Sequence, residues 1–91
     1  MIIKINEESF NIKFCEEQIT KEDSTLNFEI IGDYSATYIS ELIQKEFPVV
    51  YTLIDDNGKE RSFSGYHNVV SVESFFRNNL LETTTVVALT K

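Results

Sequence analysis

Residues 49–58 read Val-Val-Tyr-Thr-Leu-Ile-Asp-Asp-Asn-Gly, and this stretch decides the fold class. All of its first six residues except the leucine are β-branched or aromatic, which is typical of a strand. The Asn57-Gly58 pair indicates a tight hairpin turn, because both residues tolerate positive φ. A partner strand over residues 59–66 is therefore predicted, and the sheet around this turn is antiparallel.

Upstream of this hairpin, two segments place apolar residues at every second position. They are residues 10–15 and 26–31, and the alternation predicts two half-buried strands. The apolar residues 2–5 predict a short strand that forms an opening hairpin with the first of them. The polar residues 16–25 are interpreted as a loop between the two strands.

One helix is predicted over about residues 35–47. Its apolar residues recur at helical spacing and would form one buried stripe: Ile39, Leu42, Ile43 and Phe47. Asp33 or Ser35 can cap the first turn with a side-chain oxygen. Pro48 ends the helix, because the residue before a proline avoids the helical conformation.

Downstream of the central hairpin, residues 69–72 and 83–90 are rich in valine and threonine and predict two more strands. Residues 73–85 stay ambiguous between a loop, a short helix and a strand end. Because consecutive strands usually pair, the order predicts a mostly antiparallel α+β fold with about six to seven strands. It would be an antiparallel sheet or a small barrel, with the single helix packed on it, and residues 1–91 would form one domain.

The charge balance limits the classes of partner. The chain carries 15 acidic and 8 basic residues, for a net charge of −7. Direct nucleic-acid binding needs an excess of Lys and Arg to replace phosphate counterions, and an anionic membrane surface needs the same excess. Neither partner is therefore expected, whereas a basic protein partner is allowed. The start of the chain resembles no signal peptide, and no apolar run approaches the ~20 residues of a membrane span, so a cytoplasmic location is expected.

The sequence offers little catalytic chemistry. Cys15 and His67 are the only residues of their types, and together they cannot supply a zinc ligand set. The turn at residues 55–58 lacks the spaced ligands and terminal glutamate of a calcium loop. Three scattered glycines cannot build a phosphate-binding loop. We therefore expect no cofactor, no metal site and no enzymatic activity.

Two groups of residues are candidates for contacts with other proteins. The first is an apolar group in the ambiguous segment, which would complete the core if buried and form an assembly surface if exposed. Its members are Phe75, Phe76, Arg77, Leu80 and Leu81. The second is an acidic group that could meet a basic partner or simply be solvated: Glu16, Glu17, Glu22 and Asp23.

The C-terminal half of the chain is similar to a known group of proteins. After Phe47 and the Asn57-Gly58 turn come Gly65-Tyr66, then Val69-Val70-Ser71-Val72, and finally the closing residues 86–91, Val-Val-Ala-Leu-Thr-Lys. This order resembles short tail-module proteins encoded by tailed phages and prophages of Gram-positive bacteria. The opening hairpin, strand and helix are also similar. The shared features are turns and strands, so no functional residue is carried over.

This resemblance implies a viral structural or assembly protein of the tail or baseplate region, acting through contacts with other virion subunits. Such a protein is made in the cytoplasm of the bacterial host and can enter the virion. Small subunits of this kind commonly assemble as symmetric homo-oligomers. The alternative hypothesis is an acidic phage-encoded inhibitor of a host nucleic-acid-binding defence protein, in which carboxylates would compete with phosphates.

Overall fold

A computed structural model of the protein describes residues 1–44, 49–63 and 68–89. In chain order its elements are β1 (Ile2–Ile5), β2 (Glu8–Ile19), β3 (Ser24–Ile31), α1 (Ala36–Gln44), β4 (Tyr51–Ile54), β5 (Glu60–Phe63), β6 (Asn68–Arg77) and β7 (Leu80–Leu89). The expected α+β, mostly β class is confirmed, with one helix and seven strands within those ranges.

The seven strands form one sheet in the order β5-β4-β1-β2-β3-β7-β6. Every neighbouring pair is antiparallel, as the hairpin pattern predicts. The sheet is open, with β5 and β6 at its two edges, so the small-barrel alternative is not the one adopted. Within the described ranges, no helix is long and apolar enough to cross a membrane.

The second strand connects the two halves of the sheet. Its first half pairs with β1 and its second half with β3, and the register shifts between Ile12 and Cys15. The prediction of a loop over residues 16–25 was wrong for residues 16–19, which continue β2, and for residues 24–25, which begin β3; the two strands pair there. Polar side chains can occupy a strand whose backbone is paired, provided that those side chains reach solvent. The connecting turn is confined to residues 20–23.

The core lies on one face of the curved sheet, called here the inner face. Alternate residues of β1, β2, β3 and β7 are buried there, beside side chains from the helix and the central hairpin. Phe28 on β3 and Tyr51 on β4 are both fully buried, with ring centroids 5.7 Å apart. The buried apolar side chains are Ile3, Ile5, Phe10, Ile12, Leu26, Phe28, Ile30, Ile39, Ile43, Val49, Tyr51, Phe63, Val86 and Ala88.

The helix covers part of the inner face through Ile39 and Ile43, two residues of the predicted stripe. Ser35 is its N-cap, because its Oγ accepts the Tyr38 N–H at 3.1 Å. The Ala36 N–H, another free donor of the first turn, donates to Ser74 Oγ on β6 at 3.0 Å. The start of α1 is thereby attached to an edge strand. The remaining predicted helical residues, 45–47, and Pro48, which was predicted to end the helix, lie outside the described ranges.

The Ser35 cap gives a first testable prediction. Replacing Ser35 with Ala removes the acceptor of the Tyr38 N–H, and the expected loss is about 1 kcal/mol of unfolding free energy. The midpoint of urea unfolding measures the loss. The matched control is Ser40→Ala inside the helix, where alanine's higher helix propensity should leave stability equal or slightly higher. Equal losses in both variants would contradict the capping role.

Two hairpin turns differ from the sequence expectation. The predicted turn at residues 55–58 is present, with the Gly58 N–H donating to the Asp55 carbonyl at 3.0 Å. Gly58 has φ of 81°, but Asn57 is not in the left-handed region. Five residues, 55–59, connect the paired ends of β4 and β5, so this is not the tight two-residue turn that the sequence predicts. A tight two-residue turn lies between β6 and β7, where Asn78 and Asn79 have φ of 52° and 65°. Positive φ at both positions is the type I′ geometry of a β-hairpin.

Candidate functional site

The β6–β7 hairpin contains the first candidate group of residues. Residues 73–85, ambiguous in the sequence, form the ends of two paired strands and the Asn78-Asn79 turn between them. Strand β6 pairs only with β7, so its other edge has no neighbouring strand in the described sheet. The backbone groups along such an edge are available to pair with another chain.

The two faces of the hairpin can be assigned from its hydrogen bonds. Ser74 and its cross-strand partner Thr84 face the helix side, because Ser74 Oγ accepts the Ala36 N–H and Thr84 Oγ1 donates to the Tyr34 carbonyl. Successive side chains of a strand alternate between faces. The next cross-strand pair, Phe75 and Thr83, therefore lies on the opposite face of the sheet, called here the outer face.

An apolar row crosses the outer face. Ile31, Thr83 and Phe75 are neighbours on three adjacent strands. Thr83 is only 2% exposed although it lies on the solvent side, whereas Phe75 is 54% exposed. Ile31, at 42% exposure, is the second exposed apolar side chain of this row, and sequence reasoning did not find it.

Charged residues border this row. Lys13 Nζ lies 3.4 Å from Glu29 Oε2 on one side, and Arg77 Nε lies 3.2 Å from Glu82 Oε2 on the other. A shallow depression of about 460 Å³ lies between the two ion pairs and is lined in part by Phe75. An apolar centre with a charged border is the usual arrangement of a protein-interaction surface.

The other members of the first group surround the turn. Phe76 is 58% exposed and Leu80 is 73% exposed, while Leu81, opposite Phe76, is half-buried. A bulge changes the register between Phe75 and Phe76, so that Phe75 pairs with Thr83 but Phe76 with Leu81. Phe75 with Arg77, and Phe76 with Leu81, therefore occupy opposite faces of one exposed hairpin.

One further exposed apolar residue on this hairpin was missed by sequence reasoning. Val70 is 61% exposed at a second register shift, between Val69 and Ser71. The valines of this strand lie at positions 69, 70 and 72, and nothing in the sequence identifies which of them is displaced. The regular part of the β6 edge is therefore limited to residues 71–77, because at the other register shift, between Phe75 and Phe76, the extra residue is Glu82 on β7 and not a residue of β6.

The acidic group does not form one surface. Glu16 is exposed, whereas Glu17 on the next position points to the opposite face, and its side chain is 17% exposed. Glu17 Oε1 accepts from Arg61 Nη2 at 2.6 Å, which joins β2 to β5 across the curved sheet. Glu22 is exposed in the turn after β2, and the Asp23 carboxylate accepts from Thr20 Oγ1 at 2.9 Å. A contact role for these acids stays a prediction.

The environment of the cysteine disfavours its thiolate form. Cys15 is half-buried on the inner face, and burial, with a smaller contribution from the Glu17 carboxylate, raises the pKa of its thiol to about 11. The Arg61 guanidinium lowers the pKa of the thiol, but its effect is smaller than that of burial. At neutral pH the group is a thiol and a poor nucleophile. His67 lies outside the described residues, and among those described no three His, Cys, Asp or Glu side chains are grouped to hold a metal.

No protein-family model matches the chain, and no similar protein was found among curated proteins or among solved structures. The surface of the β6–β7 hairpin is therefore the main basis for a functional proposal.

Proposed function

We propose that the protein is a non-enzymatic structural or assembly protein of a phage particle, acting in the tail or baseplate region through protein–protein contacts. The observation that carries the contact role is the exposure of Phe75, Phe76 and Leu80, each more than half exposed, on one hairpin at the edge of the sheet. The phage and tail assignment comes from the resemblance of the C-terminal half to short tail-module proteins.

These side chains lie on both faces of one edge hairpin, and this shared position supports an interface more than their number does. Single exposed apolar residues are common on proteins and need no partner. Here two phenylalanines and a leucine follow one another within six residues of a hairpin, and Val70 adds a further exposed side chain on the same strand. Aromatic side chains are enriched in interfaces because they bury much area at low entropic cost.

The chemistry of the hairpin also predicts how a complex would respond to salt. Half of the exposed residues within 69–89 are apolar, namely Val70, Phe75, Phe76 and Leu80, so a complex that buries them should survive high ionic strength. The alternative, an acidic inhibitor of a host nucleic-acid-binding protein, depends on carboxylates and would weaken as salt rises. The separation of Glu16 from Glu17 on opposite faces gives this alternative less support.

Capture from a lysate of phage-infected or prophage-induced cells tests the proposal. The tagged protein should recover virion subunits at low and high salt. The double variant Phe76→Ser/Leu80→Ser should lose at least about tenfold in recovery, the equivalent of 1.4 kcal/mol, because two exposed anchors are removed. Circular dichroism checks that the variant is folded.

The matched control is Ile19→Ser, which removes an apolar residue that is equally exposed, at 72%, but lies at the end of β2. It should capture the same proteins as the wild type. Recovery of a single basic host protein that is released at high salt would overturn the assembly role and favour the inhibitor. Equal losses in both variants would contradict the location of the interface.

A further inference from the structure

The charges along the regular part of the β6 edge, residues 71–77, are complementary to those of a second, antiparallel copy of the same strand. On the outer face it presents Glu73, Phe75 and Arg77 at successive alternate positions. The acid and the base are equally spaced from Phe75 and have opposite sign. An antiparallel copy of the strand reverses their order, so each acid then meets a base. Only a two-fold axis through Phe75 produces this match.

We propose that two copies of this chain associate edge to edge through β6, antiparallel, with Phe75 of each copy facing the other at the two-fold axis. The two sheets then form one continuous sheet. The inference rests on the proposed contact role of the hairpin and names one partner of it, a second copy.

The alternative registers are less favourable. With the axis at Phe75, Glu73 of each copy lies opposite Arg77 of the other, and two opposite-charge pairs flank the paired rings. With the axis at Ser74, Glu73 lies opposite Phe75 and no direct charge pair forms. With the axis at Glu73, the two glutamates lie opposite each other, which is destabilising. Charge therefore selects the Phe75-centred register.

The side chains needed for this pairing are accessible. Phe75 is 54% exposed, and the Arg77 side chain is 69% exposed. Arg77 approaches Glu82 of its own chain through Nε at 3.2 Å. A guanidinium has five N–H donors, so its terminal nitrogens can reach Glu73 of the second copy while that contact persists.

The architecture also limits the assembly to a pair. Each chain uses its β6 edge once, and an isologous contact of this kind is closed. The other edge, β5, has only four residues and presents the charged Glu60 and Arg61, which discourages further edge pairing. The bulge at Val70 ends the straight part of β6, so the paired stretch is short and a weak dimer is expected.

Sedimentation of the purified protein over a concentration series up to about 1 mM, the weak limit of specific association, tests the pair. The mass should rise from 10.5 kDa towards twice that value. Glu73→Arg and Arg77→Glu should each weaken association at least about tenfold, because opposite-charge contacts become like-charge contacts. The double variant Glu73→Arg/Arg77→Glu should restore it. The proposal would be overturned if the protein stays monomeric, or if each single charge-reversal variant dimerises as well as the wild type.

Cysteine crosslinking tests the register in a Cys15→Ala background. Phe75→Cys should form a disulfide-linked dimer on mild oxidation, because the two positions face each other within disulfide range. The control Ser71→Cys, on the same face but away from the axis, should stay monomeric. The reverse result would contradict the Phe75-centred register.

Failure of this inference can be separated from failure of the proposed function. A monomeric purified protein that still captures virion subunits would reject the dimer alone. A charge-dependent dimer that captures no virion subunit would reject the assembly role and leave the self-pairing in place.

Discussion

Replacing Phe28 with Ala is expected to lower the free energy of unfolding by about 3–5 kcal/mol. The side chain is fully buried on β3, its ring centroid lies 5.7 Å from that of Tyr51, and it joins the two halves of the sheet across the core. A domain of this length has a total stability of about 5–14 kcal/mol, so the loss is a large fraction of it. Urea unfolding followed by circular dichroism measures the change.

The matched control is Phe75→Ala, the same truncation on an edge strand, where the side chain is 54% exposed. It should change stability by less than about 0.5 kcal/mol when measured at low protein concentration, where copies do not associate. Similar losses in the two variants would mean that Phe75 is packed in a core, and would contradict the assignment of its face.

The strands of the core were predictable because one of their faces is buried. Phe10 and Ile12, and Leu26 with its alternate neighbours, show the period of two that a half-buried strand imposes on a sequence. The helix was predictable for a related reason, since Ile39 and Ile43 lie one turn apart and Ser35 precedes the first turn. Each of these patterns indicates that one face of the element is buried, and burial is the structural property that a sequence indicates most directly.

The extent of β2 was not predictable in the same way. Residues 16–19 are Glu-Glu-Gln-Ile, a composition typical of loops, yet they pair with β3. Their strand conformation comes from backbone hydrogen bonds to residues 24–27, which no local pattern records. The pairing of Glu17 with Arg61, 44 positions apart, is likewise set by the curvature of the sheet.

The sequence identified the candidate contact residues, but it did not show that they lie on an exposed hairpin at the edge of the sheet. Phe75 and Phe76 were identified as either core or interface, and the choice depends on whether another layer covers β6, which is a tertiary property. The Asn78-Asn79 turn did carry a usable signal, because asparagine tolerates the left-handed conformation better than most residues. Two adjacent asparagines therefore favour a two-residue hairpin over the loop or helix that stayed open.

Tyr51 gives the protein a predictable sensitivity to alkaline pH. Burial raises the pKa of its hydroxyl from 10 to about 12, because the phenolate would lose its hydration in the core. The folded protein thus holds this proton more tightly than the unfolded chain does. The resulting stabilisation is complete below the unfolded pKa near 10 and is lost as pH rises through 12. Two pKa units correspond to about 2.7 kcal/mol in total.

A comparison of Tyr51→Phe with the parent protein measures this effect. Both proteins should carry Cys15→Ala, because burial also raises the pKa of that thiol, to about 11, and would add a slope of the same sign. The unfolding free energy of the parent should fall between pH 9 and 11.5 by about 2 kcal/mol more than that of Tyr51→Phe, which has no hydroxyl to ionise. Parallel pH profiles in the two proteins would show that the Tyr51 hydroxyl titrates alike in both states, and would place its ring outside the core.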